Sequence, residues 1–459
     1  MKLTFSVVAL AVAFAESARA QCPDYTTYSQ SPQGNPSTGP LKLPYMRPSP
    51  ECRTFNSSAV EKVIVDMKAR LKDPDIARLF ENTFPNTLDT TVKYFNSTQN
   101  LAFIITGVAQ WLRDTANQFA HYTALLSVDP SLATLVKAVI NNEARYVSQY
   151  PYCGSFQPPP ESGLAPSHND WADGPVNNQT VFECKYEIDS LCGFLKLSRS
   201  YYGATNDASF MNDNSPAVPN AGNGEPKAYT GMVGTHHRPS DDLSVFAFLT
   251  PANAMLSVEL SHLNDILTKS GQAKSGQGKN ISAEAKTWSK RVSDAVWANT
   301  LVDNIFAYET NGLGSRYVMD DANVPSLLSL PYLGFLDKTP PRIPGDPQGP
   351  ALQAQPLLCA GKELHGPHVD AWHPWPMSQI SAIYGTDNDE EILNRLYLIA
   401  NNTAGLGLIH ESQSIYSPTD YTRGWFAWAN SYFAEMVLDL AQRKPGLIFH
   451  NNTAYTPGK

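Results

Sequence analysis

The chain is short of the features that would place it in several large classes. Basic residues number 34 against 43 acidic ones, for a formal net charge of −9, whereas a nucleic-acid partner favours basic surface patches. There is no Gly-rich phosphate loop and no G-x-S-x-G nucleophile elbow. The six cysteines form no C-x-x-C pair, and the spacing of Cys184 and Cys192 is poor for zinc, which leaves cysteine catalysis little to rest on. No solenoid-type repeat is visible. Beyond the first residues no apolar run approaches the length of a membrane span, and strand signals are sparse and short.

What is present begins at the N terminus. Lys2 precedes an apolar run over residues 3–15, and Ala18-Arg19-Ala20 fits a small-residue cleavage site before Gln21. Residues 1–20 therefore read as a secretory signal peptide, with no membrane association after cleavage. Sequons at Asn56, Asn96, Asn178, Asn280, Asn401 and Asn451 agree with a secreted or cell-wall protein. In an oxidising compartment Cys22, Cys52, Cys153, Cys184, Cys192 and Cys359 can form up to three disulfides, with the pairing left open by sequence. A 42% hydrophobic content supports a sizeable core. Without a convincing linker, residues 21–459 read as one large domain.

Helical periodicity dominates. Ser58 is placed to cap a helix with an apolar stripe of Val60, Val63, Ile64, Met67 and Leu71. Asp73-Pro74 opens another, with Ile76, Leu79, Phe80 and Phe84 on one side and Pro85 at its end. Further helices are expected over 111–126, 131–149, 187–201, 252–269, 283–301, 377–384, 389–401 and 425–442, and strands over 102–106 and 306–309. Long Pro-, Gly-, Asn- and Ser-rich loops run over 150–180, 203–229, 270–280 and 338–374. Many helices with polar motifs at their ends predict an all-α toroid whose rim loops build a cleft.

The polar motifs each carry a chemical and a structural reading. Arg238-Pro239-Ser240-Asp241-Asp242 ends in adjacent carboxylates, and His410-Glu411-Ser412 offers an acid far downstream. Two carboxylates from distant segments suit general acid/base hydrolysis of a glycosidic bond; an Asp pair is also a common helix cap. Trp111-Leu112-Arg113-Asp114 reads as a sugar-binding corner or as a core Trp beside a dipole-balancing Asp. Glu187-Ile188-Asp189-Ser190 and Asp320-Asp321 fit caps or a site. His236-His237 offers ring donors to sugar hydroxyls or a satisfied turn. His365, His368, Asp370 and His373 have metal-ligand types, but Gly366, Pro367 and Pro374 keep them off a helix, and Trp372 and Trp375 among them suit a sugar-lined cleft. The run from Trp425 to Phe433 has core spacing, with Arg423 the polar contributor ahead of it.

Taken in order, these runs resemble glycoside hydrolase family 125. The matching segments are 111–114, 187–190, 238–242, 319–328, 374–377, 410–412 and 422–431, spread between Arg47 and Gln442. The resemblance implies an (α/α)6 toroid and an inverting exo-α-1,6-mannosidase without metal or cofactor, acting on a terminal mannose of an α-mannoside oligosaccharide or glycoprotein glycan. Carried over by motif, Glu411 is the general base, and the general acid comes from Asp241-Asp242, with Asp242 preferred. Trp111, Arg113, Asp114, His237, Arg238, His368, His410 and Arg423 are expected to hold the sugar. Two departures stand out. The turn between Thr106-Gly107 and Trp111 is short, and residues 339–358 are Pro-, Gln- and Gly-rich, as a frame-shifted or mis-spliced gene would leave them. A mannose-binding protein without turnover and a metal-dependent hydrolase using residues 365–373 are the competing readings.

Overall fold

Local signals start the first two long helices. Ser57 Oγ accepts from Val60 N at 3.1 Å and opens α1 (Ser58–Arg70), so the cap falls one residue before the expected Ser58. Val60, Val63, Ile64 and Met67 form its buried stripe. Asp73 Oδ1 accepts from Asp75 N and Ile76 N, and Pro74 takes the first helical position of α2 (Pro74–Thr83), where its missing N–H costs nothing. The computed structural model describes residues 22–172, 174–207, 226–303, 305–337, 368 and 372–459. The signal peptide, residues 339–358, Cys359, His365 and Asp370 lie outside them.

The remaining long helices are α3 (Leu112–Ala120), α4 (Pro130–Gln149), α5 (Ile188–Thr205), α6 (Thr250–Lys269) and α7 (Gly276–Thr300). They are followed by the short α8 (Leu330–Leu333), then α9 (Pro376–Tyr384), α10 (Asp389–Asn401) and α11 (Ala427–Arg443). Six of them close a ring: α3 packs on α5, α5 on α6, α6 on α8, α8 on α9, α9 on α11, and α11 back on α3. α4 lies against α5, α7 against α6 and α10 against α9, as an outer layer. The all-α toroid expected from the helical periodicity is the fold observed.

The core fills this ring. Trp428, Tyr432, Phe433, Met436, Val437 and Leu440 of α11 are all buried, so the aromatic run after Trp425 is core. Two expectations need correction. The 270–280 stretch is not one loop, because α7 already begins at Gly276; its polar first turns carry no apolar period to reveal it. The single strand expected over 306–309 is two: Ile305–Phe306 pairs with Leu301–Val302, while Glu309–Thr310 lies between Phe248–Leu249 and Arg316–Tyr317. Disulfides join Cys22 to Cys52 and Cys153 to Cys184, and Cys192 is a buried thiol.

Candidate active site

Each polar motif stands at the N-terminal end of a ring helix or in the loop leading to it. Short strands deliver them: Gln110–Trp111 runs into α3, Val181–Glu183 precedes α5, Phe248–Leu249 runs into α6, and the hairpin of Ser412–Gln413 with Tyr421–Thr422 precedes α11. Helix N-termini carry partial positive charge, which favours carboxylates gathered there.

Arg113, in the first turn of α3, is the hub. Its Nη1 donates to Glu187 Oε2 at 2.9 Å and to Asp189 Oδ2 at 3.3 Å. Its Nε reaches Asp114 Oδ1 at 3.2 Å and its Nη2 reaches Asp241 Oδ1 at 3.5 Å. The guanidinium lies 5.4 Å from the centre of the Trp428 ring. Burial alone would discharge Arg113, but Glu187, Asp241, Asp114 and Asp189 outweigh it and hold its pKa well above the usual value. One cation cannot ionise four carboxyls crowded around it. Burial pushes Glu187 well up and Asp189 up, and raises Asp114 to about 6, against the pull of Arg113. Asp241 goes the other way. Burial opposes its charge, but Arg113, a hydrogen bond with Glu187, and the Lys185 and His368 charges lower its pKa.

The turn that presents Asp241 is tightly built. Asp241 N donates to Arg238 O at 2.9 Å, and Arg238 N donates to Asp242 O at 2.8 Å. Asp241 has φ +68, a left-handed conformation that Asp tolerates better than most residues. The neighbouring carboxylates therefore diverge: Asp241 turns to Arg113, while Asp242 Oδ1 meets His368 Nδ1 at 3.1 Å. Ser240 Oγ donates to Asp321 Oδ2 at 2.5 Å, and Arg238 Nε donates to Glu309 Oε1 at 2.6 Å. Glu309 Oε2 in turn accepts from Val245 N and Phe246 N. The Asp pair does not cap a helix; the cap position of α6 is Leu249.

A second wall is the short hairpin. Its register brings Arg423 Nε within 2.9 Å of Glu411 Oε1. His410 is wholly buried and stacks on Tyr421 with ring centres 4.1 Å apart. Burial lowers its pKa to about 4, so it is neutral in ordinary buffers. His368 joins the two walls electrostatically. Burial would lower its pKa, yet the hydrogen-bonded Asp242, with the Asp321 and Glu411 charges, raises it overall.

The sequence-predicted residues divide into an open layer and an enclosed one. Asp241, Asp242, His368 and Arg423 keep accessible side chains, 33%, 37%, 28% and 48% exposed, and Glu411 shows only an edge, at 11%. Arg113, Asp114 and His410 lie directly behind them and are buried. Arg113 reaches the open layer through Asp241. His237 and Arg238 are also buried, directed to Trp171, with ring centres 5.6 Å apart, and to Glu309. Trp111 is 9% exposed and packs edge-on against Phe182. The sequence left Glu187 and Asp189 between capping and a site role. Glu187 occupies the cap position of α5 without a capping hydrogen bond, its side chain given to Arg113 instead.

Glu183, Glu187 and Asp241 come close enough to share an ion among the described residues, but Arg113 and Lys185 already neutralise them. The two described histidines of the 365–373 stretch go to different carboxylates, His368 to Asp242 and His373 to Asp420.

A ring of helices whose N-terminal rim gathers opposed carboxylates is the architecture of the α/α-toroid glycosidases. Residues 73–218 and 212–438 match glycoside hydrolase family 125, described as metal-independent α-mannosidases. The chain belongs to that family, with its (α/α)6 fold and α-mannosidase class. It is 40% identical over 488 aligned positions to the meiotically up-regulated gene 157 protein of Schizosaccharomyces pombe, covering 94% of each chain. It also resembles a Streptococcus pneumoniae metal-independent α-mannosidase solved in a non-productive complex with α-1,6-mannobiose. That likeness has a TM-score of 0.71 and 26% identity, covering 84% of this chain and 99% of the other.

Proposed function

We propose that this chain is a secreted, inverting exo-α-1,6-mannosidase that removes terminal mannose from glycans or mannoproteins. One observation carries the reading: the rim presents two separate carboxylates, Asp242 hydrogen-bonded to His368 and Glu411 paired with Arg423. Glu411, beside Arg423, serves as the base that takes a proton from water. Asp242, open to the site, serves as the acid that protonates the departing glycosidic oxygen, with Asp241 as the alternative. Inversion calls for carboxyls about 6.5–9.5 Å apart, so that a water fits between base and sugar. The 1,6 linkage rests on the α-1,6-mannobiose bound by the bacterial relative.

Secretion is supported by the leader sequence, by two disulfides and by the sequons. Asn56, Asn178, Asn280, Asn401 and Asn451 are exposed, and Asn96 is half-buried. No helix among the described residues is long and apolar enough to cross a membrane.

The test is proton NMR of the purified protein acting on α-1,6-mannobiose from the earliest time points, with the α-1,2 and α-1,3 isomers as controls. Initial release of β-mannose from the 1,6 isomer alone is the expected result. Initial release of α-mannose would overturn inversion, and binding without release would leave a mannose-binding protein.

A further inference from the structure

Two carboxylates, Glu187 and Asp241, meet at the base of the site, with Arg113 donating to one oxygen of each. Glu187 Oε2 accepts from Arg113 Nη1 at 2.9 Å and from Ser190 Oγ at 3.1 Å. Its Oε1 is buried and meets no donor among the described residues, and a carboxyl oxygen of Glu187 lies within 4.8 Å of one of Asp241. Ionised carboxylates have only acceptors to offer each other, so a direct hydrogen bond between these two holds only with a proton in it.

We infer that Glu187 is a positioning residue, a carboxylic acid whose proton is shared with Asp241 and aims that carboxylate at the substrate. The inference rests on the mannosidase reading for its catalytic consequence, though not for the shared proton itself. Its parts divide the labour. Arg113 and Ser190 fix Glu187 through Oε2, so the proton resides on Oε1. Asp241 then remains an anion within a left-handed turn, with one oxygen toward Arg113 and the carboxylate partly open for a sugar hydroxyl.

The surrounding charges are consistent with that placement. Asp189 on α5 and Asp241 both disfavour a charge on Glu187, and burial is the largest effect in the same direction. Asp241 is held ionised by Arg113, Lys185 and His368, against burial. Asp114 and Glu183, also facing Asp241, are themselves raised to about 6 and about 7, chiefly by burial. A second negative charge on Glu187 at high pH would repel Asp241 and spoil its aim. The site therefore loses kcat/KM on the alkaline side as that proton leaves.

The experiment compares Glu187→Gln with Glu187→Ala. The amide oxygen can accept from Arg113 and Ser190 while the amide nitrogen donates to Asp241, with no proton to lose. Glu187→Gln should move the alkaline fall of kcat/KM up by about one pH unit or more. Glu187→Ala should lower kcat by about tenfold to a hundredfold. Equal losses in both variants with an unmoved alkaline limb would overturn the inference.

An infrared difference spectrum, wild type minus Glu187→Gln at neutral pH, should contain a carboxylic-acid carbonyl band. Its absence also overturns the inference. That readout needs no turnover, so a protein without mannosidase activity would sink the proposed function and still test the shared proton. If Glu187→Gln does not fold, Asp241→Asn replaces it: removing the acceptor must change the same band, and an unchanged band counts against the proposal.

Discussion

Nε of Arg423 lies 2.9 Å from Oε1 of Glu411, held there by a hairpin whose two-residue strands pair Ser412 with Thr422 and Gln413 with Tyr421. The proposed base thus faces the site with its charge compensated and its direction set by a cation on the neighbouring strand.

Removing that cation separates catalysis from stability. Arg423 is 48% exposed, and exposed ion pairs contribute only about 0–1 kcal/mol. Arg423→Ala is expected to leave Tm nearly unchanged while lowering kcat on α-1,6-mannobiose by about tenfold to a hundredfold. A full kcat would show that Glu411 needs no such partner.

The two aspartates can be told apart by leaving group. An acid matters least when the departing group is already a good one. Asp242→Asn should therefore lose about 10²–10⁴-fold on the disaccharide but recover much of its rate on an aryl mannoside with an activated leaving group. Glu411→Gln should stay inactive on both. If Asp241→Asn shows the recovery instead, the acid is Asp241.

Arg113 is the residue whose loss the fold should feel most. Taking away one partner of a buried ion pair costs about 3–5 kcal/mol, because the other charge stays behind. Arg113→Met leaves Glu187, Asp189, Asp114 and Asp241 without their shared cation. Denaturant unfolding should show a loss of that order near neutral pH. The loss should shrink in acid, where protonation relieves the stranded carboxylates; equal loss at both pH values argues against that cause.

Glu143, on α4, sets a pH dependence away from the site. Its Oε1 accepts from Gln110 Nε2 at 3.1 Å, and burial raises its pKa from 4.5 to about 8. A carboxyl raised in the folded state favours folding fully below its unfolded value, and that advantage is lost as pH rises through the folded value. Wild-type stability should thus fall between roughly pH 4.5 and 8 on account of this group. Glu143→Gln should flatten that fall, so the variant gains on the wild type most at the alkaline end. Parallel stability curves across the range would exclude Glu143 as the source.

Particular residues show where sequence reading held and where it stopped. Asp73-Pro74 marked the start of α2, and residues 389–401 form α10 as expected, because caps and 3.6-residue periods are written within a few positions. The acidic runs were harder. Glu187 and Asp189 looked as much like caps as site residues, but they bond to Arg113, 74 and 76 positions away. Asp320 likewise satisfies Leu327 N and Leu328 N, within a loop and not at a helix start. Neither partner is implied by spacing.

The sequence by itself determined the helices, their buried stripes and the order of motifs that places the chain in its family, since these depend on neighbours a turn or two apart. Only the tertiary structure decided what the motifs do. Closing the ring brings the N-terminal ends of separate helices together, and a single left-handed residue sends Asp241 and Asp242 to different partners. Which carboxyl keeps a proton is then a matter of burial and of one shared guanidinium, and those exist only after the chain has folded.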